Sequence, residues 1–209
     1  ATVNSIISRG SKNRLTFTEA IDDASWAKSG TGTTTANSTG TLDPNGGNTA
    51  ELVDDTSAAA VYTISKNVLS TDAYMLSGNL YTFSIYAKKN TATKSRFILR
   101  HVTGGMDVLA EVDWNLVTVT KITTGSPGYA NVDLRSVATG GGGWYRVSCT
   151  IRYNGTGNFT CIFAPANDGT STLTGSIWVW GAQFEEGQYA TEYKAITGST
   201  DPLVGTYTT

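Results

Sequence analysis

The sequence predicts an all-β protein, a mostly antiparallel sandwich or barrel. Three observations carry that expectation. Thr is the commonest residue and Gly follows with 23 in a chain of 209; β-branched Thr, stiff at χ1, suits a pleated surface, and Gly supplies tight turns. Apolar and polar residues alternate with period two in run after run. No amphipathic stretch longer than two helical turns interrupts them. About ten short strands with turns between them belong to a sandwich or barrel, and this length fits one large all-β domain. No repeat of roughly 20 to 50 residues recurs, which excludes a propeller or solenoid.

Residues 1–13 are polar and weakly patterned and read as a linker or N-terminal arm. The sandwich is expected over 14–196. Residues 197–209 form a polar tail that would lead to another domain or exchange with a partner chain. A first strand is expected at 14–19, followed by Ile21-Asp22-Asp23-Ala24-Ser25-Trp26 as a turn or helical loop. Residues 28–49, rich in Thr, Gly, Ser and Asn, read as loops around short exposed strands, with Asp43-Pro44-Asn45-Gly46-Gly47 as a clear turn. Strands follow at 50–53 and 61–68. The clearest alternation is 80–88, with Tyr81, Phe83, Ile85 and Ala87 on one face and Thr82, Ser84, Tyr86 and Lys88 on the other. Residues 96–102 repeat it, with Phe97 and Leu99 inward and Arg96 and Arg100 outward; 108–114 and 116–123 come next. In 144–153, Tyr145, Val147, Cys149 and Ile151 share one face, and Trp144, Arg146, Ser148, Thr150 and Arg152 the other. Runs at 159–163 and 177–184 complete the set.

The two cysteines flank the turn-like segment Asn154-Gly155-Thr156-Gly157. If Ile151 pairs with Phe159, Cys149 falls opposite Cys161. A disulfide between directly opposed residues is geometrically demanding; two small buried thiols packed as neighbours are the simpler reading.

Charge excludes some functions. The net charge is −2 with no basic run, so no clustered Lys/Arg face is available to neutralise nucleic-acid phosphates. No stretch of about 18 apolar residues is present to span a membrane, and residues 1–15 lack the apolar centre of an export signal. Catalytic signatures are also missing. His101 is the one histidine and sits on the inward side of its run, so it reads as a structural residue. No nucleophile elbow surrounds a serine, and no His/Cys cluster suggests zinc. Glu185-Glu186 and Asp54-Asp55 are adjacent, and neighbours on a strand face opposite ways, so they make poor glycosidase pairs. The Tyr or Lys acid–base pairs of polysaccharide lyases leave no compact signature.

Binding fits the composition better. Sugars present flat CH faces to aromatic rings and a rim of hydroxyls to forked polar groups. Five Trp and ten Tyr supply the rings. The expected contacts are Tyr86, Arg100, Trp144 and Arg146 on the outward face of three central strands, with Trp114 at a strand end where loops meet. Trp144 and Trp180 also suit a purely structural role, plugging the ends of a sandwich.

Five segments in order resemble the jelly-roll modules of phage tail proteins. Leu15-Thr16-Phe17-Thr18-Glu19 with Ile21-Asp22-Asp23-Ala24-Ser25-Trp26 resembles their opening motif, and residues 80–88 (LYTFSIYAK) their "YTFSVYAK" strand. Residues 112–118 resemble "FDLxTG", residues 142–148 (GGWYRVS) "GxGWYRxS", and residues 179–187 (VWGAQFEEG) the closing "LWGAQLEEG". The likeness covers about residues 14–196. Trp114 replaces the usual Phe, and Thr118-Val119 replaces Thr-Gly. The resemblance implies a galactose-binding-like or concanavalin-like β-sandwich, a jelly roll grouped with carbohydrate-binding modules, on a virion or extracellular protein. It also implies a structural Ca²⁺, with Glu19 and Gln183 brought together by adjacent first and last strands and Asp22 joining them; the same acids would equally serve as turn caps.

The expected function is therefore a non-catalytic carbohydrate-binding module whose partner is an oligo- or polysaccharide, with no nucleic-acid or membrane partner. Two other readings stay open: an assembly domain that packs against virion neighbours or its own copies, and a lyase or hydrolase on the same fold.

Overall fold

The computed structural model describes residues 13–69, 75–138, 142–170 and 172–198. Among them there are twelve strands and no helix: β1 (Ala27–Ser29), β2 (Gly32–Thr35), β3 (Glu51–Asp55), β4 (Thr63–Val68), β5 (Leu80–Lys89), β6 (Lys94–His101), β7 (Met106–Asp113), β8 (Thr118–Thr124), β9 (Ala130–Val137), β10 (Trp144–Arg152), β11 (Phe159–Ala164) and β12 (Gly175–Glu186). They build two antiparallel sheets of six strands, in the orders β1-β4-β11-β6-β7-β8 and β2-β3-β12-β5-β10-β9. The all-β antiparallel sandwich expected from the sequence is the fold of this chain.

The core lies where the apolar faces of the two sheets meet. The second sheet contributes Tyr81, Phe83, Ile85, Val147, Cys149, Ile151, Val179 and Phe184, and the first contributes Phe97, Leu99, Val108, Ala110, Val112, Phe159 and Phe163. Each of these alternates with an outward neighbour, so period two alone buries one whole face per strand. Each large apolar side chain removed from water stabilises the fold by about 1.5–3 kcal/mol.

Several local readings need correction. Residues 14–19 do not form a strand. The segment bends, with Phe17 at φ 53°, and leans on β12 through isolated bonds, Arg14 N–H to the Phe184 carbonyl (2.8 Å) and Ala182 N–H to that of Thr18 (2.9 Å). Asn13, placed in the N-terminal arm, is buried; its amide donates to the Ala182 and Lys194 carbonyls and accepts from the Leu15 and Phe184 N–H groups. Residues 1–12 and 199–209 lie outside the described residues. Strand β9 has no counterpart in the sequence reading.

The cysteine register is different too. β10 and β11 are not a hairpin, because the chain between them crosses from one sheet to the other. Ile151 pairs with Tyr81 and Ala130, and Phe159 with Val68 and His101. Cys149 and Cys161 are buried free thiols on opposite sheets. Burial pushes the Cys149 thiol up to about 12 and raises Cys161 well above its ordinary value, helped by Cys149 itself. A thiol in that state is unreactive, since the thiolate is the nucleophile. Native protein should leave both cysteines unlabelled by a maleimide while denatured protein labels both; rapid labelling of native protein would show that the core opens locally.

Candidate functional site

Strand register puts a polar and aromatic array on the outer face of the second sheet. One row across it reads Arg135, Arg146, Tyr86, Trp180; the next reads Asp133, Ser148, Ser84, Gln183. Directly opposed residues in antiparallel pairs point the same way, so each row is a set of neighbours. A bulge between Trp180 and Gln183 keeps both on this face. Gly181 makes it feasible: its φ is 62°, and a Cβ there would stand 3.1 Å from the Tyr86 ring and 3.3 Å from Tyr193.

Two segments roof part of the face. Residues 36–50 close over Trp144 and Trp180, with the Trp144 indole N–H on the Leu42 carbonyl (2.9 Å) and that of Trp180 on Thr49 Oγ1 (2.8 Å). Asp43 holds this loop by accepting from the N–H groups of Asn45, Gly47 and Thr49 and from the Thr49 hydroxyl. Burial alone would raise its carboxyl, but these hydrogen bonds keep it below the usual range. The segment after β12 roofs the other side: Thr191 N–H donates to Glu185 Oε1 (2.9 Å), and Arg146 Nη1 donates to the Thr191 carbonyl.

Between the segment after β12 and the edge strand β9 a pocket of about 340 Å³ stays open. Its polar lining is Tyr86, Asp133, Arg135, Ser136, Arg146 and Ser148, and Val137, Ala138 and Ala190 add apolar surface. Arg146 is held firmly, over the Tyr86 ring at 5.1 Å and on Ser84 Oγ at 3.0 Å. Burial lowers its pKa, partly offset by Tyr86 and Glu185, and a guanidinium keeps its charge through such a shift. Arg135 and Asp133 form an ion pair at the rim, with 63% and 34% of their side chains exposed. Among the described residues, Asp133 is the only carboxylate in that lining.

Of the expected sugar contacts, Tyr86 and Arg146 meet in this pocket. Trp144 is on the same face but fully buried under residues 36–50. Trp114 is 4% exposed; it continues the inward alternation of Val108, Ala110 and Val112, and its indole N–H donates to Ser95 Oγ (2.6 Å) inside the sandwich. Arg100 is on the other sheet, paired with Asp107 at 2.9 Å, because β6 belongs to the first sheet and not to the strand triplet assumed for it. The sequence reading missed Asp133, Arg135, Ser136 and Ser148 as lining residues. Their signal was present: Val132 and Leu134 alternate with Asp133 and Arg135. His101 is buried against Tyr153 and Phe159, with Nε2 on the Thr156 carbonyl.

The residues suggested for calcium do not converge. Burial raises the Glu19 carboxyl against its hydrogen bond with Tyr193. Gln183 spends its amide on Glu185 (2.6 Å) and its carbonyl on Lys194 N–H (2.9 Å). Asp22 shares a side-chain hydrogen bond with Glu51, whose carboxyl burial and Asp22 push up to about 9. No cluster of three His, Cys, Asp or Glu side chains suited to a metal exists among the described residues. This donor set does not fit the ion that the resemblance implies.

The fold and this face define an all-β sandwich with a polar and aromatic pocket on one sheet. No protein-family model matches the chain, and no curated protein matches it. Among solved structures it is similar to the enzymatically active domain of tailspike protein 4 from bacteriophage CBA120, at a TM-score of 0.49 and 12% identity over 83% of this chain and 21% of that one. It is also similar to the CBM22-1–GH10 modules of Clostridium thermocellum endo-1,4-β-D-xylanase 10B complexed with xylohexaose, at a TM-score of 0.38 and 14% identity over 88% of this chain and 29% of that one. The chain spans less than a third of the length of either structure.

Proposed function

We propose that the chain is a non-catalytic carbohydrate-binding module, that it holds a unit of an oligo- or polysaccharide in the Tyr86–Arg146 pocket, and that it serves in a phage tail or other virion surface protein. The observation that carries this reading is the pocket itself. Its volume of about 340 Å³ lies at the lower end of ordinary ligand sites. Its rim offers a guanidinium and a carboxylate side by side, a donor and acceptor set that matches vicinal hydroxyls. Tyr86 and the alkyl stem of Arg146 supply the apolar floor that a sugar ring needs. A single lining carboxylate favours binding over glycoside hydrolysis, which uses two across the scissile bond. The virion setting rests on the sequence resemblance.

Glycan-array screening followed by calorimetry tests the reading. Wild-type protein should bind a defined glycan selectively, and Arg135→Ala should weaken that binding at least about tenfold, or about 1.4 kcal/mol, without moving the unfolding temperature. No retained glycan, or equal binding by Arg135→Ala, would overturn the assignment. Release of reducing or unsaturated ends from the bound polymer would replace it with a catalytic one.

A further inference from the structure

The loop between Ile21 and Trp26 gathers main-chain oxygens around one charge. Nζ of Lys28, on the edge strand β1, lies 3.0 Å from the carbonyl oxygen of Ile21, 3.1 Å from that of Asp22, 3.0 Å from that of Asp23 and 3.0 Å from that of Trp26. An ammonium has three N–H bonds. Four acceptors at this range surround it as they would a spherical ion, with no one-to-one pairing available. Burial lowers the Lys28 pKa, and the negative potential of Asp22 and Asp23 at the same nitrogen works against that. Glu51 is 2% exposed, and its Oε2 has no hydrogen-bond partner.

The local sequence builds this cage. Asp23 N–H donates to the Ala20 carbonyl (3.2 Å) and Trp26 N–H to that of Asp23 (3.0 Å), so two turns follow one another. Ile21 and Trp26 anchor the loop in the core, and the Trp26 indole N–H holds the Phe17 carbonyl at 3.0 Å. Carbonyls backed by carboxylates are the donors a hard cation takes, with six to eight oxygens around calcium at about 2.3–2.6 Å.

We propose that this cage is a cation site whose occupant is the chain's own Lys28 ammonium, and that removing the ammonium converts it into a calcium site. Lys28 is exposed, so an ion has a route in from solvent. The loop needs a positive charge to hold four carbonyl dipoles together, and Lys28 supplies it without a metal. The dispersal of Glu19, Asp22 and Gln183 follows naturally, since no resident ion has to be ligated by them. The site is separate from the Tyr86–Arg146 pocket and independent of glycan binding.

Thermal unfolding in EDTA and in millimolar CaCl₂, with calcium calorimetry alongside, tests the proposal. The wild-type midpoint should be the same in both solutions. Lys28→Ala should unfold several degrees lower in EDTA, recover in CaCl₂, and take up a single calcium ion per chain. Lys28→Met, which keeps the apolar stem, should behave like Lys28→Ala and serves if the alanine variant folds poorly. Adding Asp22→Asn should weaken the acquired calcium binding. A wild-type midpoint that rises with CaCl₂ would overturn the idea, as would calorimetry showing no calcium uptake by either Lys28 variant.

Discussion

Phe159→Ala should destabilise the protein by about 3–5 kcal/mol, the cost of deleting a fully buried aromatic ring. Phe159 sits on β11 of the first sheet, yet its ring lies 5.9 Å from Tyr81 and 5.4 Å from Phe184, both on the second. His101 at 5.1 Å and Tyr153 at 5.6 Å close the rest of its surroundings. These neighbours cannot easily collapse into the space. Tyr81 is held by the Leu76 N–H on its hydroxyl (2.8 Å) and His101 by the Thr156 carbonyl. The cavity therefore persists, and the cavity penalty adds to the lost transfer free energy. For a domain of this size the unfolding temperature should fall by about 10 °C. Leu116→Ala, at a residue 72% exposed, should change stability by less than about 0.5 kcal/mol. A loss below about 1 kcal/mol for Phe159→Ala would mean that the aromatic cluster repacks and that the sheets are held together elsewhere.

The same packing explains which parts of the fold are legible in the sequence. Alternation is local, so the inward faces of β5, β6 and β10 can be read from a few residues each, and the structure has them as read. Sheet membership is not local. Nothing in RFILRHV or WYRVSCTIRY says which sheet each will join, and β10 pairs with β5 and β9 rather than with its sequence neighbour β11. That single uncertainty moved Arg100 onto the wrong face and set Cys149 opposite Cys161. The second gap is coverage of the outer face. Thr82, Ser84, Gln183 and Glu185 alternate outward as polar residues should, yet all four are buried. They are tolerated there because each is satisfied: Thr82 by Thr150 and the Gly187 carbonyl, Ser84 by Arg146, Gln183 by Glu185, and Glu185 by Thr191. A polar residue that buries against a returning loop looks, in sequence, identical to one facing water. Trp144, expected as a sugar platform, is covered for the same reason, since it is roofed by a loop about a hundred residues earlier in the chain.

Replacing Glu51 with glutamine should stabilise the protein at alkaline pH and flatten its pH dependence. Glu51 is buried on β3 beside Asp22, and burial, reinforced by Asp22, lifts its carboxyl from 4.5 to about 9. The unfolded chain loses this proton near pH 4.5 and the folded chain only near pH 9, so between those values the folded state holds one more proton than the unfolded state. Raising the pH then favours unfolding, by about 1.4 kcal/mol per pH unit for one proton. The stability that protonated Glu51 contributes is fully present below about pH 4.5 and is lost as the pH rises to about 9. A glutamine side chain at this position would keep the neutral shape at every pH. Denaturant unfolding at pH 5 and pH 8 measures the difference: the two proteins should be close at pH 5, and the variant should be more stable by a few kcal/mol at pH 8. Equal slopes in the two proteins would place the Glu51 pKa near its ordinary value, and would mean that the Ile21 and Asp22 N–H groups, which lower it, outweigh burial. A variant less stable than wild type at pH 8 would instead show that Glu51 is ionised there and that its charge supports the Lys28 ammonium.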